Sequence, residues 1–162
     1  MRNDWLSAAD EALVRDCTLD FHKASGNGGQ KVNKTSSAVR LTHAPSGITV
    51  SCAESRSQHE NRRLALKMLR MKIALTIRSE ADPAFRIGEP VTSVKNDAYP
   101  LFAAKLLDAF SAHGCDLKET ALMLNVSASK LTKILYRDPA LWIEANNMRN
   151  AHALPPLRPP QR

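Results

Sequence analysis

A cluster of glycines at positions 26–29 constrains the fold of this chain more than any other feature. Gly26, Gly28 and Gly29 fill three of these four positions, and Gln30 and Lys31 follow directly. Glycine has no Cβ, so such a run packs no side chains and adopts backbone torsions that other residues avoid. The pattern predicts a loop whose main-chain N–H groups come close to a bound molecule, with one amide side chain at its tip.

Three short strands and one long helix are predicted around this loop. The strands are Thr18–Lys23, Ala38–His43 and Ile48–Ala53. Pro45 and Gly47 predict a hairpin turn at residues 44–47, because proline presets φ and glycine accepts a positive φ. The helix is predicted over residues 58–79, with Ser57 and Glu60 in the spacing of a capping box. A short helix over residues 7–14, with Ser7 as its N-cap, is predicted before the first strand.

The long helix has an apolar and a basic face. Apolar residues that recur at helical spacing predict a buried stripe: Leu64, Leu66, Met68, Leu69, Met71, Ile73 and Leu75. Arg63, Lys67 and Arg70 share a spacing on another face, which either contacts RNA or is simply solvated. Between residues 23 and 78 the chain has eleven Lys or Arg residues and two Glu, a net charge of +9. A polyanion is the expected partner of this region.

The C-terminal part of the chain predicts a separate helical module. Residues 82–100 lack clear periodicity and contain three prolines, which predicts a linker over 81–100. A helix over 101–113 ends at Gly114, and residues 117–135 predict helix, tight turn and helix, with Ala121 at the crossing and Asn125 in the turn. This stretch resembles the Fis-like helix-turn-helix class. That class makes groove contacts from its second helix, here through Ser127, Ser129, Lys130, Thr132, Lys133 and Arg137. Plain packing or protein contact is the alternative.

Three sequence blocks resemble the catalytic domain of the peptide chain release factor family. Residues 19–35 contain Gly28-Gly29-Gln30, and residues 37–43 and 56–65 follow at compatible spacing. The resemblance covers residues 19–77. It implies an α+β fold in which a small antiparallel sheet carries the GGQ loop and packs on a long helix. Together with the helical module, it predicts four regions: a catalytic domain (1–80), a linker (81–100), the module (101–150) and a proline-rich, flexible tail (151–162).

The resemblance implies hydrolysis of the ester that joins a nascent peptide to tRNA in the ribosomal peptidyl transferase centre. The backbone N–H of Gln30 then stabilises the tetrahedral oxyanion, and the Gln30 side chain lines the pocket of the attacking water. A neutral amide is a poor general base, so the proton path lies in the RNA. Gly28 and Gly29 supply conformation and clearance, and Gly26, Asn33 and Thr35 support the loop. Gln30 is also a candidate for N-methylation by a glutamine methyltransferase.

The ribosome, through its large-subunit rRNA and peptidyl-tRNA, is the implied partner. The predicted phosphate contacts are Lys31, Lys34, Arg40, Arg56, Arg62, Arg63, Lys67 and Arg70. About 24 residues precede the loop, too few for a codon-reading domain, which predicts a codon-independent rescue factor. Rescue factors usually carry a basic tail, which residues 150–162 lack, so the helical module is expected to replace it. The alternatives are a nucleic-acid-binding regulator and a non-catalytic ribosome-associated factor.

Composition argues against membrane, secreted, disulfide-rich and metal-binding classes of protein. No apolar run is long enough to cross a membrane, and the first residues do not form a signal peptide. Cys17, Cys52 and Cys115 are scattered, and the histidines lack ligand spacing, so neither a disulfide framework nor a metal site is expected. We therefore predict a cytoplasmic enzyme without a cofactor, monomeric when it is off the ribosome.

Overall fold

The computed structural model describes residues 1–22, 37–89 and 91–160. Two units share the chain, Met1–Ile73 and Ala74–Arg162. The first contains helices α1 (Arg2–Ser7) and α2 (Asp10–Arg15), strands β1 (Cys17–His22), β2 (Ala38–His43) and β3 (Ile48–Cys52), and most of helix α3 (Gln58–Thr76). The second contains α4 (Tyr99–Ala112), α5 (Leu117–Met123), α6 (Ala128–Tyr136) and α7 (Pro139–Ala151). The predicted α+β class is confirmed.

The three strands form an antiparallel sheet in the order β1-β2-β3. Along β3 the side chains alternate between buried and exposed, so that Ile48, Val50 and Cys52 lie on the buried face. β2 follows the same alternation from Val39 to His43. The predicted hairpin turn joins β2 to β3, and Gly47 has a φ of +68°, a conformation that side chains with a Cβ rarely adopt.

Helix α3 begins where the capping signal predicted. The Glu60 backbone N–H donates to the Ser57 hydroxyl at 3.3 Å. The fully or nearly buried apolar side chains are Ala65, Leu66, Leu69, Ile73 and Ala74. Leu64, Met71 and Leu75 are only half-buried and Met68 is exposed. The buried stripe is therefore narrower than predicted, and the helix ends at Thr76 rather than at residue 79.

The prediction of one helix over residues 7–14 was wrong. Two six-residue helices occupy this region, and Ser7 ends the first instead of capping the second. Neither helix has a side-chain cap. Helix α2 is held instead by Arg70 of α3, which donates to the Asp10 carboxylate at 2.6 Å and to the Ala8 carbonyl at 2.8 Å.

The second unit contains the predicted pair of short helices joined by a turn. The Asp116 carboxylate caps α5, and the Ser127 hydroxyl caps α6 by accepting from the Lys130 N–H at 3.1 Å. Asn125 lies in the turn with a φ of +58°, as the sequence predicted. The crossing residue Ala121 is buried. A further helix, α7, follows the pair and begins at a capping Asp138.

The stretch between α3 and α4 belongs to the second unit and forms no helix or strand among its described residues, yet it packs against the helices of that unit. Ile87 is buried, and its N–H donates to the Leu124 carbonyl at 3.2 Å. The Phe85 ring lies 6.0 Å from the Phe102 ring of α4, edge to face. Much of the predicted linker is thus an irregular segment that packs against α4 and the turn after α5.

The proline-rich residues that follow α7 are anchored, which contradicts the expectation of a flexible tail. Leu157 is buried, and its N–H donates to the Asn146 side chain at 2.7 Å. Arg149 donates to the Pro155 carbonyl at 2.7 Å. Two side chains of α7 therefore hold this segment by its backbone.

All three cysteines are free thiols within the described residues. Cys52 and Cys115 are buried, and Cys17 is half-buried. Burial raises the pKa of the thiols of Cys17 and Cys115. None of the described helices is long and apolar enough to cross a membrane.

Candidate functional site

The strands β1 and β2 bring the two ends of the glycine-rich segment together. His22 pairs with Ala38, the last pair of the β1–β2 ladder. Directly opposed residues of antiparallel strands lie roughly 4.5–5.5 Å apart. The segment that carries the GGQ tripeptide therefore leaves and re-enters the sheet at neighbouring positions. The predicted site residues Gly26, Gly28, Gly29, Gln30, Lys31, Asn33, Lys34 and Thr35 themselves lie outside the described residues.

A buried asparagine at the first turns of α3 joins the re-entry point to the rest of the unit. The Asn61 side chain is fully buried. Its Nδ2 donates to the carbonyls of Ser37 and Ser55, each at 2.7 Å, and its Oδ1 accepts from the Ser55 N–H at 2.8 Å. The Cys52 thiol points to the same oxygen at 3.7 Å. Asn61 lies in the sequence block 56–65 that resembles release factors, but the sequence predicted no role for it. A polar residue inside an otherwise apolar face was the signal available.

Several predicted phosphate contacts are accessible near the start of α3. Arg56 and Lys67 are exposed and Arg62 is half-buried. Arg63 is accessible too, but it forms a bidentate pair with Glu60, with contacts of 3.2 and 2.6 Å. Hydrogen bonding to Arg63 lowers the pKa of the Glu60 carboxyl. Part of the charge of Arg63 is thus compensated within the helix.

Arg40 lies on the exposed face of the sheet, apart from the α3 cations. It stands opposite Asp20 of β1 and Ser51 of β3 in the strand register. Opposite charges facing each other across two strands attract. A phosphate at Arg40 would therefore compete with Asp20.

Arg70 is not available for phosphate, which corrects the sequence prediction. Its side chain is only 11% exposed and is committed to Asp10 and Ala8. Spacing placed it with Arg63 and Lys67, but in the folded chain it borders Leu66, Ile73 and Ala74 on the buried face. Its guanidinium ties α3 to the start of α2.

The predicted contacts in the second unit lie along α6. Ser127, Ser129, Lys133 and Arg137 are exposed. Lys130 is half-buried and forms an ion pair with Glu89, and Arg137 donates to the Thr92 carbonyl at 3.0 Å. Thr132 is nearly buried, and its hydroxyl donates to the Ala128 carbonyl, so it does not belong to the exposed face. Helix α6 itself contains no acidic residue.

The profile of the RF-1 domain family matches residues 11–97. This range includes the sheet, the glycine-rich segment, α3 and most of the irregular segment that follows. It is more than half of the chain. The chain belongs to the RF-1 domain family.

Curated relatives of this RF-1 domain protein are named as release factors. It is 45% identical to peptide chain release factor 2 of Campylobacter fetus over 97 residues, which is 58% of this chain and 26% of that protein. It is 37% identical to peptide chain release factor 2 of Bordetella pertussis over 141 residues, 84% of this chain and 35% of that protein. A match to the Helicobacter pylori (strain G27) protein reaches 58% identity over 59 residues, 36% of this chain and 16% of that protein.

The chain thus spans roughly a third or less of the length of these relatives. The family assignment supports the predicted resemblance to class I release factors and extends it beyond residue 77. Because unit Met1–Ile73 holds only 73 residues, the 141-residue match also enters the second unit. Across the described parts of the RF-1 domain and the helical unit, we find no group of three or more His, Cys, Asp or Glu side chains that could hold a metal ion.

Proposed function

We propose that this chain hydrolyses the ester of peptidyl-tRNA in the peptidyl transferase centre of the ribosome. The observation that carries the proposal is the RF-1 domain match over residues 11–97, which contains the Gly28-Gly29-Gln30 tripeptide. The names of the relatives, peptide chain release factor 2, agree with it. The reaction takes place where ribosomes work, in the cytosol.

The chemistry assigned to the tripeptide follows from the reaction. Water attacks the ester carbonyl and creates an oxyanion, which a backbone N–H stabilises without needing to reorganise. In our proposal Gln30 supplies that N–H, and its side chain selects water over larger nucleophiles. Gly28 and Gly29 leave room for the tRNA end and permit the required torsions. The paired ends of β1 and β2 support this arrangement, because they give the segment a fixed base.

A matched pair of glycine variants tests the proposal. Gly29→Ala should reduce peptide release by at least about a hundred-fold, because a Cβ before Gln30 would misplace the Gln30 N–H, and the loss of an oxyanion donor has an effect of this order. The melting temperature should stay within about 2 °C. Gly88→Ala is the control, because a Cβ at Gly88 meets no atom within 4 Å and its φ is not positive. Release from ribosomes carrying labelled peptidyl-tRNA is measured for both. Full release by Gly29→Ala would contradict the proposal.

We further propose that release does not depend on a stop codon. The 162 residues contain one unit with the release-factor blocks and one helical unit, and this combination motivates the idea. Ribosomes with a stop codon, a sense codon or a truncated message in the A site should then be released at similar rates. Isolated large subunits carrying peptidyl-tRNA form a fourth substrate. Release with a stop codon only would contradict codon independence while leaving the hydrolytic function intact.

Cations of the RF-1 domain are proposed to hold rRNA phosphates. Arg40, Arg56, Arg62, Arg63 and Lys67 are accessible among the described residues, and Arg70 is left out. Lys31 and Lys34, which lie outside the described residues, are kept in the set on their place beside the tripeptide in the sequence. Each phosphate contact releases counterions, so ribosome binding should weaken steeply as salt is raised. Mass spectrometry of the protein from its source cell would test the proposed methylation of Gln30.

The exposed face of α6 is proposed as a second nucleic-acid contact. Lys133→Glu should weaken ribosome binding several-fold at low salt while the rate at saturation stays unchanged, since α6 lies in the other unit. Lys118→Glu, on an exposed site of α5, is the control with the same charge change. Equal losses for both variants would indicate a general charge effect. Sequence-selective binding to DNA duplex, without binding to ribosomes, would favour a regulator instead.

A further inference from the structure

The hydrogen bonds around Asn61 match the donors and the acceptor of an asparagine amide. Its two Nδ2 hydrogens meet two carbonyl oxygens, and its Oδ1 meets an N–H and a thiol. Aspartate would turn the two donors into acceptors facing carbonyls, and an apolar residue would remove the partner of the half-buried backbone groups of Ser37 and Ser55. The position therefore requires a side chain that donates twice and accepts at one end.

The groups that Asn61 binds are far apart in the chain. Ser37 precedes β2 and is 24 residues from Asn61, whereas Ser55 lies in the connection between β3 and α3. Ser37 is also the first described residue after the segment with the GGQ tripeptide. One side chain on a rigid helix thus ties the end of that segment to the residues beside Arg56.

The two boundaries of the segment are fixed by different means. At the start, His22 belongs to β1 and is paired with Ala38. At the end, Ser37 is held through its carbonyl by Asn61 from outside the sheet. Loss of this contact would free the residue before β2 without breaking the ladder itself.

We propose that Asn61 is a positioning residue that sets the geometry of the GGQ segment for catalysis. This inference rests on the hydrolytic function proposed above. Asn61 touches neither substrate nor reacting atoms, and it acts through Ser37 and the fixed end of the segment. A displacement of about 1 Å at a reacting group costs on the order of a hundred-fold in rate. The effect belongs to the catalytic step rather than to ribosome binding.

The test compares Asn61→Ala with His43→Ala. His43 is an equally buried polar residue, with its ring hydrogen-bonded to Ser46 at 2.7 Å, and it lies at the opposite end of β2 from Ser37. Single-turnover release is measured over a range of protein concentrations, well below the melting temperature of either variant. We expect Asn61→Ala to lower the rate at saturation by about a hundred-fold and to leave the half-saturating concentration within about twofold of wild type. His43→Ala should retain the wild-type rate.

Hydrogen exchange gives a readout that does not need activity. In Asn61→Ala, peptides covering residues 23–40 should exchange faster than in wild type, and those covering β3 should not. Asn61→Ser keeps a small polar side chain with a single donor, and it serves if the alanine variant does not fold.

The outcomes separate the two proposals. Equal rate losses in the Asn61 and His43 variants, or unchanged rate and exchange in the Asn61 variants, would overturn the positioning role. A wild-type protein inactive on every ribosomal substrate would overturn the hydrolytic function, whereas the exchange comparison would still decide whether Asn61 anchors the segment.

Discussion

The helices of the two units differ in what holds their first turns. Helices α1 and α2 have six residues each and no side-chain cap. Helices α5, α6 and α7 each begin at a residue whose side chain accepts from the backbone two or three positions later: Asp116, Ser127 and Asp138. Isolated helices shorter than about 15 residues are marginal in water, so all of these need support.

The two units differ in whether this support comes from distant or from neighbouring residues. Helix α2 depends on Arg70, which reaches Asp10 and Ala8 from about sixty residues away. Helices α5 to α7 carry their start signal within their own sequence, and tertiary packing adds to it. A substitution in α3 should therefore destabilise α2, whereas the loss of one cap should destabilise only the helix that it begins.

Substitution of Arg70 should have the larger effect. Arg70→Met removes two charge-assisted hydrogen bonds and is expected to reduce the free energy of unfolding of the first unit by about 2 kcal/mol. Trp5 of α1 reports on this unit by fluorescence, and Trp142→Phe removes the other tryptophan. Urea unfolding gives the measurement.

Arg63→Met is the matched control for Arg70. Arg63 pairs with Glu60 at the surface, where such pairs contribute at most about 1 kcal/mol. A loss of similar size in both variants would contradict the idea that Arg70 is the side chain that holds α2. An unchanged urea midpoint of the Trp5 fluorescence transition in Arg70→Met would also contradict it.

Loss of a local cap should have the smaller effect. Asp116→Ala removes the acceptor for the N–H groups of Lys118 and Glu119, and it should cost the second unit about 1 kcal/mol. Trp142 fluorescence in a Trp5→Phe background follows this unit. A change in Trp5 unfolding would show that the cap is not a local feature.

The same cap makes a prediction for pH. Hydrogen bonding to the Glu119 N–H lowers the pKa of the Asp116 carboxyl in the folded chain. The Asp116 carboxyl therefore binds a proton more readily in the unfolded chain than in the folded one. The contribution of this cap to the free energy of unfolding is present above the unfolded pKa of about 3.9, and it is lost as pH falls through the folded pKa. Asp116→Asn keeps a capping acceptor without a titratable group. Its stability should depend less on pH in this acid range than that of wild type.

The sequence predicted those elements that carry their own signals. β2 was predicted with its observed ends, and the β2–β3 turn followed from Pro45 and Gly47. The start of α3 followed from Ser57, and the turn between α5 and α6 followed from Asn125. In each case the deciding interaction lies within a few residues, where a linear pattern reveals it.

The elements that the sequence did not predict depend on distant partners. Helix α1 was missed and the start of α2 was placed three residues too early, because nothing in residues 1–15 shows that Arg70 holds Ala8 and Asp10. Arg70 itself was predicted as a phosphate contact, because helical spacing does not distinguish the edge of a buried face from the exposed surface beside it. The docking of Leu157 on Asn146 has no local signature either. The chemistry proposed for the GGQ segment rests on its sequence motif, whereas the role proposed for Asn61 rests on its contacts in the folded chain.

The low reactivity expected of the three native thiols makes this protein suitable for labelling at a single introduced cysteine. Thiol-reactive dyes attack the thiolate, and burial shields Cys52 and Cys115 while a raised pKa slows Cys17 and Cys115. A single cysteine placed at an exposed position such as Ser129 would react first. A fluorophore on that position would let the approach of α6 to a ribosome be followed by energy transfer, without removing any native cysteine.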